Sequence, residues 1–90
     1  MINPELLSPG QTLLDYVVNN YSSKSSVYFF GIASTLTSEQ KSPFPGTGGF
    51  AILYNSSTTG YSSIYAFSFL LKIKGIRTQD GIWEPDWAEL

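Results

Sequence analysis

The sequence offers few side chains that could carry out acid–base or nucleophilic chemistry. It contains no histidine and no cysteine, which removes the commonest general base, the commonest metal ligand and the thiol nucleophile. Serines and threonines are present, but no histidine is available to activate a hydroxyl as in a catalytic triad. We therefore expect a protein that is not an enzyme and that uses no cofactor and no metal.

Carboxylates are the remaining reactive groups, and they crowd the end of the chain. Of seven acidic residues, four lie there: Asp80, Glu84, Asp86 and Glu89. A glycosidase needs two carboxylates across a cleft, and a calcium site needs several oxygens in one loop. The spacing fits no EF-hand loop, and 90 residues leave little room for a sugar cleft with two tuned acids. We interpret the cluster as a solvated acidic rim beside an apolar hairpin.

A glycine-rich stretch at residues 43–49 invites comparison with a phosphate-binding loop. It lacks the lysine and the hydroxyl residue that end a P-loop, and a predicted strand follows it where a P-loop has a helix. Proline favours extended conformations in the preceding residue, and glycine allows sharp turning. The stretch therefore predicts a turn.

Amide, hydroxyl and aromatic groups come together in the predicted hairpin loop at residues 55–60 and its flank. A neutral sugar needs hydrogen bonds to its hydroxyls and a flat face for stacking, so this loop is a candidate recognition site. The alternative is a solvent-exposed turn with ordinary turn residues, which needs no ligand. The candidate ligand-binding residues are Asn55, Thr58, Thr59 and Tyr61.

Three large side chains near the end of the chain favour structural roles. Trp83 is predicted to lie in the core, because a small domain must bury most of its large aromatic residues. Arg77 lies on a predicted strand, where its guanidinium could stack on Trp83 and pair with Asp80 or Glu84. Ligand binding by Arg77 stays open, since a planar donor fork also suits acidic glycans. Trp87 is expected to fold back over the sheet after Pro85 bends the chain.

Composition favours one domain that associates with a partner. Hydrophobic residues make up 42% of the chain and charged residues only 13%, about half of the ~25% charge content usual in soluble domains. Without cysteine, no disulfide can add stability to a chain this short. A small, apolar, charge-poor domain either hides surface in a partner or exposes adhesive patches. We expect an oligomer.

Charge and hydropathy exclude two classes of partner. The net charge is −2 with only five basic residues, so no cluster of cations can neutralise nucleic-acid phosphates. No apolar run approaches the ~18 residues of a membrane span, and the first residues lack the pattern of a signal peptide. We expect neither nucleic-acid binding nor membrane insertion.

The first part of the chain predicts an irregular lead-in at residues 1–10 and one helix at residues 11–20. Thr12 is the predicted N-cap, and Asp15 three residues later is favoured by the helix dipole. Leu13, Leu14 and Val17 recur at helical spacing, which predicts an apolar stripe that packs on a sheet.

The rest of the chain predicts strands. Residues 27–33 are nearly continuously apolar, residues 34–40 alternate weakly as an edge strand, and residues 50–54 alternate clearly. Residues 61–71 read as one long strand with an aromatic face that needs a cover from the helix, another sheet or another chain. Residues 72–78 form a further strand before an Asp80-Gly81 turn and a short strand at Ile82-Trp83. The fold class is mainly β: a small antiparallel sheet or sandwich with one short N-terminal helix.

The end of the chain resembles the closing signature of phage tail-fibre and pyocin-type knob domains. That signature reads roughly Arg-x-x-x-Gly-x-Trp-x-x-Trp-x-x-Leu, and here Arg77, Gly81, Trp83, Trp87 and Leu90 match it. The departure is one extra residue between the tryptophans. The upstream pattern fits more loosely, so only the last fifth of the chain carries a specific match.

The resemblance implies a single tail-fibre knob-like domain over residues 1–90. It implies an intertwined homotrimer in the virion tail, made in the host cytoplasm, that attaches the particle to a host cell-surface carbohydrate. Arg77, Gly81, Trp83 and Trp87 would then have structural roles. The alternative is a trimerisation or folding module of a fibre that makes no receptor contact. A small adaptor that docks on a larger partner is a third possibility.

Overall fold

The computed structural model describes residue 7 and residues 10–21, 26–55, 61–80 and 82–90, with only the backbone described at residues 18–21, 26 and 79. The predicted fold class is confirmed: one antiparallel sheet and one short helix. In chain order the elements are α1 (Leu13–Tyr21), β1 (Ser26–Ile32), β2 (Gly49–Asn55), β3 (Ser62–Ser68), β4 (Ile73–Gln79), β5 (Ile82–Trp83) and β6 (Ala88–Glu89).

The sheet follows chain order, and every strand pairs antiparallel with its neighbour. The order is β1-β2-β3-β4-β5, and β6 also pairs with β4. β5 pairs with the end of β4 through Thr78 and Gln79, whereas β6 pairs with its beginning through Lys74 and Gly75. The last nine residues therefore run back along one edge of β4 and leave the sheet between β5 and β6.

The helix begins where the sequence predicts. The Asp15 N–H donates to Thr12 Oγ1 at 3.1 Å, so Thr12 is the N-cap. Leu13, Leu14 and Val17 are buried and belong to the same core cluster as the sheet. The observed helix spans Leu13–Tyr21, and it is too short and too polar to be a membrane-spanning helix; no described helix qualifies as one.

One face of the sheet forms the core together with the helix and the long connection between β1 and β2. Alternation along each strand sends every second side chain to this inner face. The buried apolar residues on the inner face of the four long strands are Phe30, Ile32, Ala51, Leu53, Ile64, Ala66 and Ile76. Leu36 and Phe44 from the connection are buried with them, so this connection covers part of the sheet.

The predicted edge strand at residues 34–40 is wrong, because this segment forms turns. The Gln40 N–H donates to the Thr37 carbonyl at 3.1 Å, and the Lys41 N–H donates to Ser38 at 3.0 Å. Leu36 is the one large apolar residue of the segment, and it is buried among core residues.

The predicted turn at residues 43–49 is confirmed up to Thr47, while Gly49 already begins β2. Gly48 is required there, since a Cβ would lie 2.5 Å from the Ile32 carbonyl oxygen.

The single long strand predicted at residues 61–71 is also wrong. β3 ends at Ser68, and a tight turn with Leu71 at φ 63° leads into β4. Ser68 Oγ accepts hydrogen bonds from the N–H groups of Leu70 and Lys72, at 3.0 and 3.2 Å. These bonds stabilise the turn, which contains no glycine and no proline. The predicted turn after β4 is confirmed: Gln79 pairs with Ile82, and Asp80 has φ 54°. Its second residue, Gly81, lies outside the described residues.

Candidate interaction surface

The outer face of the sheet is apolar and exposed. An antiparallel sheet with one solvated face usually places polar residues on that face. Here Phe29 keeps 60% of its surface exposed, Tyr54 49% and Phe50 46%. We call the following set the aromatic panel: Val27, Phe29, Phe50, Ile52, Tyr54, Phe67 and Ile73.

Strand register makes the aromatic panel continuous. Phe50 lies directly opposite Phe67, and the two rings stack with centroids 5.1 Å apart and planes inclined by 18°. Phe29 lies opposite Ile52, and Val27 lies opposite Tyr54. Such cross-strand neighbours are in contact range on one face of a sheet, so the panel is a single surface spanning four strands.

The aromatic panel is as large as the largest apolar patches found on monomers. Large side chains have areas of roughly 150–250 Å², and the most exposed panel residues keep about half of theirs. The exposed apolar area is therefore roughly 500 Å², near the upper end of the largest patches on typical monomers. Patches of this size are often functional, which makes the panel a candidate interaction surface.

Beside the panel, the side chain of Glu84 forms a hydrogen bond to the main chain of β4. It does so at the point where the chain after β5 no longer pairs with β4. The Glu84 N–H donates to the Arg77 carbonyl at 3.0 Å. In return, the Arg77 N–H donates to Glu84 Oε1 at 3.1 Å, a position that a main-chain carbonyl would fill in a regular ladder. Arg77 Nε lies 3.6 Å from Glu84 Oε2, so the same carboxylate also holds the guanidinium.

We call residues 84–87, between β5 and β6, the excursion. Lys41, in the connection between β1 and β2, forms hydrogen bonds with this segment. Trp87 Nε1 donates to the Lys41 carbonyl at 2.8 Å. Lys41 Nζ donates to the Pro85 carbonyl at 2.9 Å and lies 3.9 Å from Asp86 Oδ1. The segment that departs from the knob signature, Pro85-Asp86, is thus the segment that contacts Lys41.

A small concave site lies at the corner of the outer face, next to the aromatic panel. Leu90 lies over Gly75 at its base, since a Cβ on Gly75 would lie 3.1 Å from Leu90 Cδ1. The site has a volume of about 290 Å³. We call it the polar notch, and its lining side chains at the surface are those of Ser63, Tyr65, Arg77, Glu84, Ala88 and Leu90.

Two of the four candidate ligand-binding residues, Asn55 and Tyr61, lie among the described residues. Asn55 is only 3% exposed, and its Oδ1 accepts a hydrogen bond of 2.7 Å from the Ser62 hydroxyl. The expectation that Asn55 meets a ligand is therefore corrected: its side chain has a structural partner in the sheet. Tyr61 is exposed and its hydroxyl donates to Asp80 Oδ1 at 3.0 Å. Thr58 and Thr59 lie outside the described residues.

The residues predicted to be structural take different positions. Trp83 lies opposite Thr78 and packs against the core cluster, whereas Arg77 lies on the other face. The expected stacking of Arg77 on Trp83 is therefore replaced by the contact with Glu84, one of the two carboxylates predicted as its partner. Trp87 packs partly buried against the core and Gly81 lies outside the described residues.

The sequence did not predict the contacts of two residues that hold the C-terminal segment, Lys41 and Glu84. Lys41 gave no signal, because it acts through a main-chain carbonyl and through a partner 44 residues away. The sequence predicts Glu84 as a member of the acidic rim and as a charge partner of Arg77. Its hydrogen bond to the Arg77 N–H was not predicted, because it depends on the main chain leaving the sheet after β5.

Comparisons with known proteins identify no relative. No protein-family model, no curated protein and no solved structure matches the chain. Among the described residues, no three acidic side chains are grouped so that they could hold a metal ion.

Proposed function

We propose that the protein is a non-enzymatic module of a phage tail fibre whose copies associate as a homotrimer through the aromatic panel and attach the particle to a host surface carbohydrate. The observation that carries the assembly part is the exposure of the panel. An apolar face of this extent on one side of a sheet needs a cover, and the helix already lies on the opposite face.

The free energy gained by burying the apolar surface of the panel is large enough to support association. Burial of roughly 500 Å² of apolar surface contributes about 12 kcal/mol per subunit at ~25 cal/mol per Å². Association costs about 4–15 kcal/mol in lost translational and rotational freedom, so copies must cover most of the panel to form a stable complex. Flat aromatic rings such as the stacked Phe50 and Phe67 suit this role, since they bury much area with few rotatable bonds.

The fibre and the threefold assembly are supported by the resemblance to knob domains. Four of the five matching residues are described, and three of them, Trp83, Trp87 and Leu90, lie in the return segment beside β4. Attachment to a host carbohydrate is the role that such modules would have at the virion tail.

A trimerisation module without receptor contact is the second candidate function. The burial of Asn55 favours it, because the predicted sugar-binding loop loses its amide group. Carbohydrate binding by the isolated domain separates the two functions.

Replacement of panel residues by lysine tests the assembly. Phe29→Lys combined with Tyr54→Lys places two charges on the panel and should yield monomers in light scattering. Ile82→Lys is the matched control, because Ile82 is 74% exposed and lies in β5, outside the panel. A double variant that keeps the mass of the wild type would contradict assembly through this face.

A further inference from the structure

We infer that the polar notch binds a neutral saccharide unit. This gives a location to the attachment role proposed above, on which it rests. The notch differs from the aromatic panel because it combines a flat ring, a donor fork and a carboxylate within one concavity.

The shape of the notch suits a single ring. Its volume of about 290 Å³ is at the lower end of the ~300–1,000 Å³ typical of ligand pockets. Leu90, which lies over Gly75, and Ala88 form one wall. Tyr65, opposite Gly75 in the ladder and 47% exposed, offers its ring on the other side.

The polar groups at the end of the notch lie side by side, and the carboxylate of Glu84 is held there by a hydrogen bond. The Glu84 carboxylate is fixed by the Arg77 N–H at 3.1 Å and faces Arg77 Nε at 3.6 Å. Arg77 has an exposed side chain and carries five N–H donors, more than the single contact with Glu84 uses. Ser63, opposite Arg77 in the ladder, adds a hydroxyl.

The charge balance favours a neutral ligand over an anion. Sugar hydroxyls both donate and accept, so they need donors and acceptors side by side, which Arg77, Glu84 and Ser63 supply. An anionic ligand would face the Glu84 carboxylate, whose charge already offsets that of Arg77. Stacking of the apolar face of a sugar ring on Tyr65 completes the recognition.

Ligand-observed NMR with defined sugars tests the inference. The probes are the methyl glycosides of glucose, galactose, mannose and rhamnose, compared with N-acetylneuraminic acid and inorganic phosphate. At least one neutral glycoside should bind the wild type, and both Tyr65→Ala and Arg77→Ala should weaken its binding about tenfold or more, as expected for loss of a charge-assisted hydrogen bond or a stacking ring. Arg77→Lys, which keeps the charge but loses the fork, should weaken binding as well.

Two variants serve as matched controls. Tyr61→Ala removes an exposed tyrosine beside the predicted loop, and Lys72→Ala removes an exposed cation in the turn after β3. Both should leave sugar binding unchanged. Loss of binding in Tyr61→Ala with retention in Tyr65→Ala would overturn the inference and place the site at the loop.

Two further outcomes would also overturn it: no saturation of any neutral glycoside at about 50 mM, a concentration far above the Kd of a weak site, or preferential binding of the anions. Light scattering and circular dichroism on the same samples separate the two proposals. An intact trimer that binds no sugar refutes the notch and the attachment role and leaves the assembly standing, whereas a monomeric wild type refutes the assembly. Sugar binding that persists in Tyr65→Ala and Arg77→Ala refutes the notch alone.

Discussion

The indole of Trp87 donates a hydrogen bond of 2.8 Å to the main-chain carbonyl of Lys41, 46 residues earlier in the chain. The Lys41 ammonium returns a bond of 2.9 Å to the Pro85 carbonyl. Together these bonds fasten the excursion between β5 and β6 to the connection between β1 and β2. The C-terminal segment, which forms one wall of the polar notch, is thereby tied to the core side of the molecule.

Trp87→Phe should destabilise the protein by about 1–2 kcal/mol, because the Lys41 carbonyl loses its donor in a partly buried place. Urea unfolding monitored by circular dichroism measures the change. The matched control is Trp83→Phe, since Trp83 Nε1 is buried without a partner among the described residues. The Trp87 variant should be the less stable of the two. The reverse order would contradict a stabilising role for the hydrogen bond between Trp87 and Lys41.

Trp83→Ala should cost about 3 kcal/mol, because this side chain packs against the core cluster and its loss leaves a cavity. Thermal unfolding under conditions of fixed protein concentration gives the change in Tm. A variant with the melting temperature of the wild type would show that Trp83 contributes little to the core.

Glu84→Ala should lower stability by about 1 kcal/mol, because the Arg77 N–H loses its acceptor at the edge of β4. Glu84→Gln keeps an oxygen at the same place and should retain most of that stability, since the exposed ion pair with Arg77 is worth little. Denaturant unfolding of the two variants makes the comparison. Equal losses would mean that charge, and not the ladder bond, is what Glu84 provides.

Asn55→Ala should lower the free energy of unfolding by about 1–2 kcal/mol even without a ligand, because the buried Ser62 hydroxyl contact is lost. Ser62→Ala removes the other member of the same pair, and the double variant should cost less than the sum of the two singles. Additive losses in chemical denaturation would show that the contact contributes nothing.

Local features of the fold were predictable from the sequence. The Thr12 cap depends on residues three positions apart, and the alternation of β2 and β4 is visible in their own residues. The turn at Asp80 follows from a residue type that tolerates positive φ.

Features that depend on distant parts of the chain were not predictable. The end of β3 is set by Ser68 Oγ accepting two N–H groups, in a turn without glycine or proline. Which face of the sheet is the core was undetermined, because both faces of β2 are apolar and only the packing of the helix and of Leu36 and Phe44 decides it. The polar notch required the return of the last residues to β4, which the pattern up to Pro85 did not show.

The mass of the wild-type protein in solution tests the central claim most directly. Light scattering coupled to size-exclusion chromatography at micromolar concentration should give three times the 9.9 kDa of one chain, because the proposed assembly covers the aromatic panel with other copies of the chain. A mass equal to one chain over the same concentration range would contradict the account.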